Sequence, residues 1–337
     1  MNPGHNPMRR DVLKALAFAS VAAARPAYCA IGPDFTYRLG MNQPVGSPAH
    51  VRIAQMAEAI NQESDGRLRI DVYPNSTLGS DNEMLTAVRA GSLDLYLAGN
   101  NLGPVAEVSE LPSLPYVFED NAHVFEALDG ELGDYIRQQL DRNGLHAFRY
   151  YMQNGFHQLT NIVRPVKTAE DLRGMIIRTP VEQMPADFFR LFGAVPKGIT
   201  FNKMYASLRD GVAQGQTDPM GIVVSLRLYE VQKYLSLTNH WWSGFLLVAN
   251  PDSWKQLPRE MQDIVTRNQK HYAILQRDDV YEIERTAADF LAAKGMLVND
   301  ADQHSFRRAL GGFYEKWRGV YGAEVWSILR RYSATLN

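Results

Sequence analysis

Between residues 35 and 98 the apolar pattern switches period repeatedly, and this alternation constrains the fold more than any other feature of the chain. Residues 35–39 read as a strand, followed by the loop Gly40-Met41-Asn42-Gln43-Pro44. Ser47-Pro48 opens a helix to about Ser64, with Ile53, Met56, Ala57 and Ile60 on one face and Gly66 at its end. Leu68, Ile70 and Val72 alternate with charged residues, as a half-buried strand requires. Ser80 or Asp81 caps a helix to Ala90, and beyond Gly91 the residues Leu93, Leu95 and Leu97 alternate again. Strand, helix, strand, helix, strand is an α/β unit with right-handed crossovers. Ligands of such sheets collect at loops beyond the carboxyl ends of the strands. Asn42-Gln43, Asn75-Ser76 and Gly99-Asn100-Asn101 qualify; the competing reading of each Asn is a turn former. Glu83, one turn into a helix near that edge, is a further candidate, set against a role in answering the helix dipole.

The stretch from Asp171 to Pro219 carries the clearest chemical signal. After the turn Asp171-Leu172-Arg173-Gly174, the apolar run Met175-Ile176-Ile177 reads as a short buried strand. Arg178 stands at its end, where Pro180 keeps Thr179 extended. A guanidinium there suits a planar anion, although an Arg paired with a carboxylate for structure is the blander reading. A helix over 184–193 presents Phe188, Phe189, Leu191 and Phe192. A second, over 202–213, presents Met204, Tyr205, Leu208 and Val212. Asp218-Pro219 reads as a helix start, with Asp218 as cap, unless that cap faces a ligand.

Residues 145–152 read as an aromatic-rich strand, and near residue 154 the chain is expected to cross into a second α/β lobe. A strand at 238–250, holding Trp241-Trp242, returns it to the first. A helix from about Arg259 to Lys294, broken near the middle or continuous, is longer than one lobe and is expected to span both. Trp317, Tyr321, Trp326 and Leu329 are expected core anchors of a helical C-terminus.

Composition excludes several classes. With 45% hydrophobic and 21% charged residues the chain is globular, and a net charge of −2 without a basic run excludes nucleic acid as a main partner. The single cysteine, Cys29, excludes an intrachain disulfide or cysteine metal cluster, and the scattered histidines show no metal spacing. No G-x-S-x-G, H-E-x-x-H or phosphate-loop pattern is present, so no enzyme motif, metal or cofactor is expected, although paired carboxylates for glycoside cleavage need no fixed spacing. Arg9-Arg10 before an alanine-rich apolar stretch reads as a secretory leader over 1–30. It resembles a twin-arginine signal with Val12 in place of Phe, while Tyr28 fits a lipid anchor at Cys29 poorly. A periplasmic location, a soluble mature chain and a monomer are the expectations.

Five stretches, in order, resemble the periplasmic solute-binding proteins of tripartite ATP-independent periplasmic (TRAP) transporters. They are Tyr73-Pro74-Asn75-Ser76-Thr77-Leu78-Gly79, Asn154-Gly155-Phe156-His157-Gln158-Leu159-Thr160-Asn161, the Asp171 to Pro180 segment, Gly215-Gln216-Thr217-Asp218-Pro219 and Tyr229-Glu230-Val231-Gln232-Lys233-Tyr234-Leu235. The resemblance implies an α/β, two-lobe fold with a ligand cleft between the lobes and a long lobe-spanning C-terminal helix. Lobe I is expected over 33–154 plus about 241–280. Lobe II and the C-terminal helices take 155–240 plus about 281–337.

In the family an Arg matching Arg178 fixes the ligand carboxylate. Phe201 matches an aromatic that packs on the ligand, and Asn42 matches an early polar contact. Asn154 and Asn100 join them as candidates, while Trp241 either walls the cleft or packs the hinge. The chain departs from the family pattern twice: Asp218 replaces the usual Asn, and His157, a group that titrates near neutral pH, replaces the usual Arg. Both make the cleft less positive and favour a hydroxy- or sugar-type monocarboxylate over a dicarboxylate. The implied role is solute capture and delivery to the TRAP membrane permease subunits. The alternatives are a ligand-sensing periplasmic protein, or a binder of a zwitterion or polyol with Arg178 paired to Asp218.

Overall fold

The structure is a computed structural model that describes residues 32–336; the leader, with Arg9, Arg10 and Cys29, lies outside the described residues. The first unit runs β1 (Phe35–Met41), α1 (Pro48–Glu63), β2 (Leu68–Tyr73), α2 (Asp81–Ala90) and β3 (Leu95–Ala98). The Ser47 hydroxyl caps α1 by accepting from the His50 N–H at 3.3 Å, and Pro48 takes the first turn, where no backbone donor is needed. Gly91 ends α2 in the left-handed conformation, φ 75°. The three strands are parallel with β1 in the middle. β3 is buried at every residue rather than half-buried as its alternation suggested, because Leu95 and Leu97 pack into one apolar cluster and Tyr96 and Ala98, on the opposite face, into another.

Helices α3 (Asn121–Asp129) and α4 (Glu131–Arg142) follow. The strand expected over 145–152 is broken into β4 (His146–Ala147) and the start of β5 (Met152–Asn161). Then come β6 (Ile176–Thr179), α5 (Gln183–Leu191), β7 (Val195–Gly198), α6 (Met204–Arg209), β8 (Gly215–Pro219), α7 (Met220–Ser225) and β9 (Tyr234–Leu237). The chain closes with β10 (Trp242–Ala249), α8 (Pro251–Gln256), α9 (Arg259–Ala293), β11 (Leu297–Asp300), α10 (Gln303–Arg307), α11 (Gly311–Tyr321) and α12 (Ala323–Arg330).

Local expectations fail at three points. Helix α6 stops at Arg209, and Val212 is exposed beyond it. Leu191 is 43% exposed and falls outside the face formed by Phe188, Phe189 and Phe192. Asp218 caps nothing: it lies in β8, bonded across to β5, and Pro219 holds the cap position of α7.

The sheet order is β2-β1-β3-β10-β5-β8-β6-β7. Strands β10 and β5 are its two middle members, and each changes partner along its length. Residues 246–249 of β10 pair with β3, while 242–245 pair with β5. Residues 157–161 of β5 pair with β8, beside the parallel β6 and β7. Two α/β lobes are thus joined by strands common to both. A bulge in β10 falls between Ser243 and Gly244. A Cβ on Gly244 would lie 2.1 Å from the Trp242 ring and 2.6 Å from the Met152 carbonyl, so only glycine fits there.

Each lobe has its own apolar core. Leu39, Met41, Ile53, Met56 and Ile60 meet Met261, Ile264 and Val265 of α9 in the first. Met204, Leu208, Ile222, Val223 and Leu235 meet Leu291 in the second. Unbroken over 35 residues, α9 is about 50 Å long at 1.5 Å per residue and contributes to both. A third, aromatic cluster includes Phe188, Phe189, Trp241, Trp242, Trp317, Tyr321 and Trp326. Among the described residues no helix is long and apolar enough to cross a membrane.

Candidate functional site

Arg178 is placed by β6, a strand so short that its third residue already faces the end of the sheet. The side chain is 3% exposed. Its Nε donates to the Ile199 carbonyl at 2.9 Å, and Nη1 donates to Asp218 Oδ2 at 3.2 Å. These two bonds fix the plane of the guanidinium. The Nη2 arm has no hydrogen-bond partner among the described residues, and Arg178 lines a cavity. Its walls come from three places. Asn42, Gln43, Asp81, Gly99, Asn100 and Asn101 stand at the carboxyl ends of the first lobe's strands and the start of α2. Asn154, His157, Ser243, Gly244 and Phe245 belong to the two shared strands. Arg178, Pro180, Glu182, Phe201 and Asp218 belong to the second lobe.

Arg178, Asp218, His157, Asn154, Phe201, Asn42 and Asn100 are therefore brought together around one space. Two sequence candidates are not. Trp241 is 1% exposed and stands behind the wall, its ring 5.2 Å from that of His157 and against Phe188 and Phe189. Glu83 points back onto its own helix, where Oε2 accepts from the Ser80 N–H and hydroxyl, both at 2.7 Å. That is a capping box, which satisfies the free donors of the α2 start. Of the amide-rich loops, Asn75-Ser76 stays outside the cavity as a turn, with φ of 60° and 55°.

His157 departs from its expected chemistry. Its Nδ1 lies 2.9 Å from the Thr217 hydroxyl and its Nε2 2.8 Å from the Ser243 hydroxyl. Thr217 in turn meets His240 Nε2 at 2.7 Å, and Thr238 meets His240 Nδ1 at 2.7 Å. Burial pushes His157 well below the ordinary histidine range, with His240 and the Arg178 charge adding to the effect; burial alone takes His240 to about 3. The ring that replaces the family's second cation is thus neutral at physiological pH and does not titrate near it.

Two acids lining the cavity escaped the sequence reading. Asp81, considered only as a cap, is the first residue of α2, and its Oδ1 lies 3.1 Å from the buried Tyr96 hydroxyl. Glu182 precedes α5 but makes no capping bond, which leaves its carboxylate to the cavity. The available signal was position: an acid four residues past Arg178 at a helix start. Burial raises Asp218 to about 7 against the pull of Arg178. Burial, with Asp81 nearby, raises Glu182 to about 7. Burial also raises Asp81, opposed by Asn42, Tyr96 and Arg178. Arg178 is lowered by burial although three carboxylates oppose it, so desolvation outweighs pairing for both members of the Arg178–Asp218 pair. Among the described residues no group of three or more His, Cys, Asp or Glu is placed to hold a metal.

Residues 39–319 match the family described as "Bacterial extracellular solute-binding protein, family 7". The 2,3-diketo-L-gulonate-binding periplasmic protein of Escherichia coli K12 is 32% identical over 304 residues, which cover 90% of this chain and 92% of that one. The chain belongs to this family. Among solved structures, a TRAP periplasmic solute-binding protein from Polaromonas bound to D-erythronate aligns with a TM-score of 0.84 at 26% identity, covering 88% of this chain and 98% of that one. One from Sulfitobacter, with bound β-D-galacturonate, gives 0.84 at 25% identity, covering 88% and 99%. As a TRAP-type solute-binding protein, the chain is a transport component that acts in the periplasm, and it is not an enzyme.

Proposed function

We propose that this protein captures a small organic acid with a single carboxylate and hydroxyl or amino groups, and delivers it to the TRAP permease subunits. The observation that carries the reading is the Nη2 arm of Arg178: without a hydrogen-bond partner among the described residues, on a buried guanidinium that two bonds hold in plane and that lines a cavity. A carboxylate is the natural complement of such an arm, and in a closed site the contact is charge-assisted and shielded from water. A second carboxylate finds no second cation among the lining residues. His157 is neutral, and Asp81, Glu182 and Asp218 offer no positive charge to balance it. The relatives named above bind a keto sugar acid, an aldonate and a uronate, each a monocarboxylate with hydroxyls.

We place the lobe division at 33–154 plus about 241–280 against 155–240 plus about 281–337, so that closure bends β5 and β10. The open form meets the cargo, Arg178 engages its carboxylate, and the population shifts to the closed form that the permease recognises. Calorimetric titration of the stripped protein with D-erythronate and succinate tests the preference. Tighter binding of the monocarboxylate is expected; tighter binding of succinate would refute it.

A further inference from the structure

The cavity holds more negative charge than capture of a simple acid calls for. Arg178 and Asp218 form one neutral pair at 3.2 Å. Asp81 from α2 and Glu182 at the start of α5 remain, with no cation of their own among the lining residues. Glu182 accepts from no side-chain donor among the described residues and faces Asp81 and Arg178. A further acid, Glu110, is raised to about 8 by burial and by the charges of Glu182 and Glu107. His157, the remaining titratable group on the wall, is neutral. An incoming carboxylate on Nη2 adds one more negative charge, and closure removes water from all of them. Burial raises Asp81, Asp218, Glu182 and Glu110, so protons offset part of this charge in the empty site, and a cationic group on the cargo would take their place.

We infer that the cargo carries a cationic nitrogen as well as its carboxylate: the carboxylate meets Nη2 of Arg178, and the ammonium is received by Asp81 and Glu182. This rests on the carboxylate reading of Arg178 and narrows the cargo class to zwitterions. Phe201 and Phe245, also on the wall, supply apolar surface for the carbon skeleton between the two poles.

Matched ligand pairs that differ only in hydroxyl against ammonium test it. The mature protein is unfolded and refolded to strip endogenous cargo. It is then titrated at pH 8 with 3-amino- and 3-hydroxypropanoate, 4-amino- and 4-hydroxybutanoate, 5-amino- and 5-hydroxypentanoate, and D-erythronate. For at least one chain length the amino member should bind tenfold or more tightly than its hydroxy partner and than D-erythronate. In Asp81→Asn and Glu182→Gln, tested singly and together, that ratio should fall at least tenfold while the hydroxy member gains affinity. Hydroxy acids binding as tightly as or more tightly than every amino partner would overturn the inference and leave the Arg178 assignment standing. Binding of none of these carboxylates would overturn both. The wild-type ratios decide the matter even if a variant folds poorly.

Discussion

At the scale of single residues, the site is a balance of ionised groups that burial has moved from their ordinary values. Asp218 and Glu182 are both raised to about 7, so the folded chain holds their protons more tightly than the unfolded chain does. The stability they contribute is complete below the ordinary carboxylate range and is lost as pH rises through about 7. Below the ordinary histidine range the lowered His157 and His240 act in the opposite sense. Above it, between pH 6.5 and pH 8, the melting temperature of the empty protein should fall, and Asp218→Asn should make that slope shallower. A melting temperature that rises over this interval would contradict the assignment. Arg178 was legible because strand, Pro and spacing converged on it. Its partner was legible only as a residue type, since nothing in Asp218-Pro219 says whether that pair starts a helix or ends a strand. Asp81 and Glu182 were hidden because an acid at a helix start is ordinarily a cap. Asp81 is turned instead toward the Tyr96 hydroxyl, and at the α5 start the capping bond is absent.

At the scale of elements, two residues read as candidates for the cleft turn out to hold the frame. Glu83 closes the capping box of α2, so Glu83→Ala should lower the midpoint of a denaturant titration and leave cargo affinity unchanged. A loss of affinity at equal folded fraction would place Glu83 back in the site. Trp241 fills the aromatic cluster behind His157, and Trp241→Ala should cost about 3–5 kcal/mol of stability. A drop below 1 kcal/mol would show that the ring is not core. Gly155, at φ 121°, lies where β5 runs beside α9, and a Cβ there would sit 2.0 Å from Glu284 Oε1. Gly155→Ala should destabilise by about 1–3 kcal/mol through strain at this crossing, as read by thermal denaturation. The period-2 and period-3.6 patterns disclosed the strands and helices of the first lobe well, because each buries one face. They were least informative for β3, buried on every side, and for the end of α6, where an apolar Val212 falls outside the helix.

At the scale of the whole molecule, the two lobes share β5 and β10, and α9 runs through both cores. That architecture was visible in outline, because a helix of some 35 residues exceeds one lobe and two strand-like segments flank the central region. Which residues face one another across the cleft was not visible, since it depends on strand order, and β10 pairs with strands far from it in sequence. Closure at the proposed hinge in the shared strands should reduce the radius of gyration measured by small-angle scattering at saturating cargo; an unchanged value would argue against closure. The central claim remains that Arg178 holds the cargo carboxylate. Its most direct test is calorimetric titration of the wild type and of Arg178→Ala with whichever small carboxylic acid the wild type binds most tightly. A loss of about 2–5 kcal/mol, roughly 30- to 5,000-fold in Kd, is predicted; equal affinity in the two proteins would contradict the account.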